Sequence, residues 1–90
     1  MIDVYKGAKI NHKDYPIYPF ELNDNLNKLF FTNNLKLDEY GDITWDKSHK
    51  MIIDKILHDK NEKFYNECNT VLNTLKTLIE KENCITLIGD

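Results

Sequence analysis

The second half of the chain carries a stripe of apolar residues at helical spacing. Its members are separated by seven, four, three, four and three positions: Leu57, Phe64, Cys68, Val71, Leu75 and Leu78. Because this spacing keeps to one helix face across the polar residues 58–63, it favours a single helix over residues 47–82. A straight helix of that length would extend about 54 Å. We therefore expect it to kink near residues 58–62 or to project towards a second copy of the chain.

Shorter apolar patterns predict the remaining elements. Residues 2–5 alternate weakly and precede Gly7, which predicts a strand that ends in a turn. Large apolar residues at helical spacing, preceded by an asparagine cap, predict a helix over residues 23–32. Alternation over residues 35–45 around a polar centre predicts a β-hairpin. Residues 84–88 form a short apolar run typical of a buried strand.

The segment between the first strand and the first helix contains two prolines, Pro16 and Pro19. They exclude a helix interior and favour an extended, polyproline-like path, although a brief return strand over residues 8–10 is an alternative. The predicted order of elements is therefore β-α-β-β-α-β. This order is typical of the ferredoxin-like arrangement, an α+β fold in which two helices cover one face of a four-stranded antiparallel sheet.

Length and composition narrow the class of protein. We expect residues 1–90 to form one small domain. All 12 basic residues are lysines and 11 residues are asparagines, a bias typical of an AT-rich genome such as that of a phage or mobile element. The net charge of −3 argues against a general nucleic-acid or membrane-surface binder, because both need an excess of basic residues. The first residues lack the pattern of a secretory signal, so we expect a cytoplasmic protein with reduced cysteines.

No group of residues has the spacing of a catalytic, nucleotide-binding or metal-binding motif. The candidate metal ligands are three histidines and an aspartate four residues before one of them: His12, His49, His58 and Asp54. A zinc site needs three or four ligands, and the paired spacings that mark such sites are missing from the sequence. The only serine, Ser48, is placed to cap a helix. We therefore expect surface histidines, no enzymatic activity and no cofactor.

The predicted hairpin carries a local excess of acidic residues. Nine consecutive residues without a lysine hold four of them: Asp38, Glu39, Asp42 and Asp46. A polar hairpin tip and a helix cap account for such residues without any function. The alternative is an acidic patch that docks on a basic protein surface, with Tyr40 and Trp45 as aromatic anchors. For Trp45, a place in the core is the simpler expectation.

Two tyrosines of the proline-containing segment, Tyr15 and Tyr18, mark a second candidate surface. Extended aromatic and proline-rich segments are often bound by partners because little ordering entropy remains to be lost. The simpler interpretation is a connection that lays its rings over the core.

The sequence thus predicts a non-enzymatic, acidic, protein-binding domain. The leading hypothesis is an inhibitor or immunity-type protein that blocks a toxin or nucleic-acid-processing enzyme with a basic surface, without direct nucleic-acid or membrane binding. The alternative is a homodimeric adaptor, such as a small phage protein, that uses the long helix as its seam. The candidate seam residues are Leu57, Phe64, Val71, Leu75 and Leu78.

Overall fold

A computed structural model describes residues 1–11, 13–38, 41–59 and 65–89 of the chain. The four strands are β1 (Ile2–Lys6), β2 (Tyr18–Phe20), β3 (Asp42–Trp45) and β4 (Ile85–Gly89). The three helices are α1 (Asp24–Thr32), α2 (Lys47–His58) and α3 (Tyr65–Glu82). Across the described ranges the architecture is therefore α+β, in the order β-β-α-β-α-α-β.

The sheet has the strand order β2-β1-β4-β3, and all neighbouring strands are antiparallel. The central pair joins the first and last strands, with Ile2 opposite Gly89 and Lys6 opposite Ile85. The element order differs from the predicted β-α-β-β-α-β in three places, one of which is the division of the second helix into α2 and α3, and the ferredoxin-like arrangement is not confirmed. One additional strand precedes α1, and only one strand separates α1 from α2.

The additional strand is β2, which lies where an extended, polyproline-like path was predicted. Tyr18 pairs with Val4 and Pro19 with Asp3, whereas residues 8–10 form no strand. A proline is tolerated here because β2 is an edge strand, where a missing N–H does not interrupt the ladder between two neighbours. Local sequence pointed to extended backbone, and pairing with β1 turned that segment into a strand.

The predicted first strand of the hairpin is missing, because residues 35–38 are not in a strand. Asn34 has a left-handed backbone (φ 60°) and follows the end of α1 at Thr32. The N–H of Leu35 then donates to the carbonyl of Phe30 at 2.9 Å, and that of Asn34 to Phe31 at 3.4 Å, which together form a Schellman motif. The carbonyl of Lys36 accepts from Trp45 Nε1 at 2.9 Å. The alternation of apolar and polar residues over 35–38 therefore comes from packing after the end of α1 and does not indicate a strand.

The predicted single helix over residues 47–82 is wrong, because α2 and α3 are separate helices. α2 ends at His58, and Asp59 has extended backbone (φ −86°, ψ 102°). The helices run antiparallel, as two ion pairs between them show: Lys50–Glu80 at 3.3 Å and Lys76–Asp54 at 3.0 Å. Their apolar stripes share a phase because both helices bury one face in the same core. An apolar stripe that keeps one helical spacing therefore does not show that the helix is continuous.

One apolar core fills the space between the sheet and the three helices. Alternate strand residues supply one side of it: Ile2, Val4, Phe20, Trp45, Ile85 and Leu87. The helices and the segment after α1 supply the other: Leu26, Leu29, Phe30, Leu35, Ile53, Ile56, Cys68, Leu72, Leu75 and Ile79. Trp45 is fully buried, with its ring edge-to-face against Phe30 at 5.3 Å between centroids. This confirms the expectation that Trp45 is a core residue.

Candidate functional site

The strand residues that alternate with the core positions form the opposite side of the sheet, which we call the outer face. Its members are Asp3, Tyr5, Pro19, Asp42, Thr44, Thr86 and Ile88, as the pairing register places them. All three helices contribute to the core on the inner side, so the described helices leave this face uncovered. The outer face therefore contains side chains that a partner protein can reach.

A row across the outer face places Asp42, Ile88 and Asp3 side by side on β3, β4 and β1. Neighbouring strands lie about 4.8 Å apart, so the two aspartates are separated by roughly 10 Å with the isoleucine between them. Neither carboxylate makes an ion pair or accepts a hydrogen bond within the described part of the chain. The row thus presents an apolar side chain between two unneutralised carboxylates.

The next row of the outer face contains a cluster of polar groups, and its hydrogen bonds hold three strands together. Thr86 is only 1% exposed, and its hydroxyl donates to the carbonyl of Gly7 at 2.7 Å. The Thr44 hydroxyl lies 3.2 Å from that of Thr86. Gly7 follows β1 with a positive φ of 82°, a conformation that glycine adopts without a steric penalty. These bonds tie β1, β4 and β3 together on the outer side.

Asp46 follows β3 and caps α2. Its side chain accepts hydrogen bonds from the backbone N–H of Ser48 at 2.9 Å and from the Ser48 hydroxyl at 2.6 Å. In return, His49 Nδ1 accepts from the backbone N–H of Asp46 at 3.0 Å, which completes a capping box. The bonds from Ser48, followed by the contact with His49, lower the pKa of Asp46 to about 2. The carboxylate is therefore ionised at neutral pH, and the predicted cap by Asp46 is confirmed.

The other predicted acidic residues lie around a turn before β3. The N–H of Gly41 donates to the carbonyl of Asp38 at 3.5 Å, and the carbonyl of Gly41 accepts from Gly89 at 3.1 Å. A Cβ atom on Gly41 would collide with the Asp38 carboxylate, so glycine allows that side chain to fold over the turn. Asp38 and Asp42 are exposed, whereas Glu39 and Tyr40 lie outside the described residues.

The structure separates the two tyrosines of the second candidate surface. Tyr15 is 86% exposed. Tyr18 is partly buried and packs on the core, with its ring stacked on Phe20 at 6.1 Å between centroids. Only Tyr15 therefore presents its ring to solvent, and the simpler interpretation of a ring laid over the core fits Tyr18.

The candidate dimer seam faces the interior of the single chain. Leu75 is fully buried, and Leu57, Val71 and Leu78 are partly buried against the core; Phe64 lies outside the described residues. The most buried positions of α3 are instead Cys68, Leu72, Leu75 and Ile79. The described residues of the stripe thus contact the core of their own chain, and a homodimer that uses their partly buried positions stays a prediction.

The candidate metal ligands are not brought together. His49 lies in the capping box and stacks on Trp45 at 5.7 Å between centroids, His58 is exposed at the end of α2, and His12 falls outside the described residues. Asp54 forms ion pairs with two lysines. Lys76 makes the larger contribution and Lys50 the smaller one to holding the pKa of Asp54 below its usual value. Among the described residues, no three His, Cys, Asp or Glu side chains are grouped to hold an ion. Cys68 and Cys84 are both reduced thiols.

Sequence reasoning missed the residues that complete the outer face, Asp3, Tyr5 and Ile88. The alternation of residues 2–5 was visible, but a strand pattern alone does not show which strands are neighbours. The apolar run at the C-terminal end predicted burial on both faces, whereas Ile88 is only partly buried. The signal that could have found this site is the pairing of β1 with β4, which depends on residues more than 80 positions apart in the chain.

Comparison with known proteins identifies no relative: no protein-family model, no curated protein and no solved structure matches this chain. No described helix combines the length and apolar character required to cross a bilayer. The functional argument therefore depends on the geometry and charge of the site itself.

Proposed function

We propose that this chain is a non-enzymatic, protein-binding domain of the inhibitor or immunity type. It blocks a partner that carries a basic surface, such as a toxin or a nucleic-acid-processing enzyme, in the cytoplasm. The observation that carries the proposal is the row of Asp42, Ile88 and Asp3 on a sheet face that the described helices leave uncovered. This row replaces the acidic hairpin as the centre of the interface.

The composition of the outer face supports this function. Protein interfaces place apolar and aromatic residues at the centre and polar residues around them. Here Ile88 on β4 lies between the strands that carry Asp3 and Asp42, and Tyr5 lies two positions beyond Asp3 on β1. Carboxylates at such a rim accelerate encounter with a basic partner and fix its orientation.

Three predicted partner-binding residues extend this interface. Asp46 lies two positions beyond Thr44 along the chain and is exposed and ionised. Asp38 is exposed at the turn that leads into β3. Tyr15 belongs to the connection that begins at Gly7, beside the polar cluster. Together with the net charge of −3, these residues favour a basic partner over an acidic one.

Charge reversal tests the proposal. The wild-type chain is used to capture partners from cells of its source, and the purified partner is then titrated calorimetrically against Asp3→Lys/Asp42→Lys. We expect affinity to fall at least tenfold and the wild-type affinity to weaken with added salt. Glu80→Lys is the matched control, because Glu80 is exposed on α3, which packs against the inner side of the sheet. Equal affinity of the double variant and the wild type, with both folded by circular dichroism, would contradict the outer face as the binding site.

A further inference from the structure

A groove on the other side of the molecule is separate from the outer face. Its volume is about 480 Å³. The last two turns of α1 line one wall through Asn27, Phe30 and Phe31, and residues 34–37 line the other. Small-molecule sites in proteins are typically clefts of about 300–1,000 Å³, so the groove has the size of a ligand site.

The floor of the groove is held in place by the core. Phe30 and Leu35 are each 1% exposed, and the Schellman motif joins them through a 2.9 Å backbone hydrogen bond. The indole N–H of Trp45 fixes the carbonyl of Lys36 from below at 2.9 Å. A ligand therefore meets a preformed surface and pays little ordering entropy.

One wall of the groove is the exposed aromatic ring of Phe31. Phe31 is 84% exposed, whereas the preceding residue, Phe30, is buried. It presents a ring to any apolar group placed in the groove, and offset or edge-to-face contacts between rings contribute beyond the buried area. The groove thus favours a ligand with a flat apolar part.

The charge of the residues that line the groove indicates which charged group a ligand carries besides its apolar part. Among the described residues, Lys36 is the only charged one that lines the groove, and Asn27 and Asn34 add two carboxamides. The described lining contains no carboxylate, although acidic residues exceed basic ones in the chain by 15 to 12. An ammonium beside an apolar cleft is complementary to one negative charge.

From this geometry we infer that the groove binds a small aromatic carboxylate. The ring lies between Phe31 and the floor formed by Phe30 and Leu35, and the carboxylate pairs with Lys36. The site is independent of the outer face, because it uses α1 and residues 34–37 rather than the exposed side of the sheet. It would make the chain responsive to a small metabolite as well as to a protein partner.

The test uses 2-naphthoate and its uncharged analogue 2-naphthamide as probes of the full chain, followed by ¹⁵N–¹H NMR titration. We expect naphthoate to shift the amide signals of residues 27–37 and to bind about fivefold more tightly than naphthamide, the size of a partly exposed ion pair. Lys36→Glu should remove this preference. It leaves the backbone carbonyl that accepts from Trp45 in place, so the fold is retained. Lys28→Glu is the matched control, since Lys28 is exposed on α1 but does not line the groove.

A second variant separates the apolar contribution from the charge. Phe31→Ala removes an exposed ring, so it should weaken both probes equally and keep the ratio between them. Failure of naphthoate to bind at millimolar concentration, shifts outside the groove, or equal binding of naphthamide would overturn the inference. Shifts of the same residues that depend on protein concentration alone would also overturn it, because they would identify a second copy as the occupant.

Discussion

The inner and outer faces of the sheet are built from the same strands, yet they have opposite properties. The inner residues are apolar and nearly inaccessible, and Val4, Trp45 and Ile85 are fully buried. The outer face carries two aspartates, two threonines, a tyrosine, a proline and an isoleucine, and Thr86 alone among them is fully covered. Because successive strand residues point to opposite faces, the chain separates stability from partner binding at alternate positions. Substitutions on one face can therefore change one property and leave the other.

The largest loss of stability is expected on the inner side. Leu75→Ala should lower the free energy of unfolding by about 2 to 5 kcal/mol, because it removes a fully buried side chain and leaves a cavity. Leu78→Ala is the matched control, since Leu78 lies three residues further along α3 and is only partly buried. Urea denaturation followed by circular dichroism measures both. An equal loss for the two variants would show that the interior extends further over α3 than the structure indicates.

The second effect concerns the one buried residue of the outer face. Thr86→Val keeps the shape of the side chain but removes the hydroxyl that donates to Gly7. We expect a loss of about 1 to 3 kcal/mol, because the Thr86 hydroxyl is buried and its removal leaves the partly buried carbonyl of Gly7 without that donor. Thr44→Val should cost less, since Thr44 is exposed. Thermal unfolding of the two variants measures both losses. If Thr86→Val were as stable as the wild type, solvent would have to replace the lost donor.

A smaller effect should appear in acid. The pKa of Asp46 is about 2 in the folded chain, below its ordinary value of 3.8, so its stabilising effect is present above about pH 4 and is lost as the pH falls towards 2. Asp46→Asn retains a capping side chain that does not titrate. Its melting temperature should therefore fall less steeply than that of the wild type between pH 4 and pH 2.

Asp42→Asn provides the control for this acid experiment. The Asp42 carboxylate accepts no hydrogen bond in the described part of the chain, so its replacement should leave the wild-type slope unchanged. If Asp46→Asn followed the wild-type curve as well, the capping box would not be what acid removes.

The smallest effect on stability is expected for the residues proposed to bind the partner. Asp3→Asn/Asp42→Asn should change the free energy of unfolding by no more than about 0.5 kcal/mol, because Asp42 is exposed and Asp3 is only partly buried, and surface substitutions usually have effects of this size. The same variant should lose affinity for a basic partner. A destabilisation above about 1 kcal/mol, measured by urea denaturation, would show that these carboxylates also support the fold.

Local patterns predicted the elements whose causes are local. The cap of α1 is Asn23, whose side chain accepts from the N–H of Leu26 at 2.8 Å, and the left-handed Asn34 ends the same helix. Both follow from residue types within a few positions of each other. The strand Ile85–Gly89 was likewise predicted from an apolar run, whose bounds began and ended one residue too early.

The remaining features depend on distant contacts. Tyr18–Phe20 becomes a strand only because β1 lies beside it, and Leu35 mimics a strand position because it packs beneath a helix end. The break at Asp59 was hidden because two antiparallel helices that share one core can show a single apolar phase. For the site, Asp42 and Asp46 were found as part of an acidic run, whereas Asp3 was missed because its neighbours on the face lie at the other end of the chain.

The pairing of β1 with β4 in the middle of the sheet also determines when the chain can fold. Synthesis proceeds from the N-terminus, and β4 is the last described element to be made. Until then β3 has no strand to pair with, and the central ladder from Ile2–Gly89 to Lys6–Ile85 cannot form. Closing such a distant contact is entropically costly and slows folding. Newly made chains should therefore expose the apolar strand residues of β1 until residues 85–89 have left the ribosome.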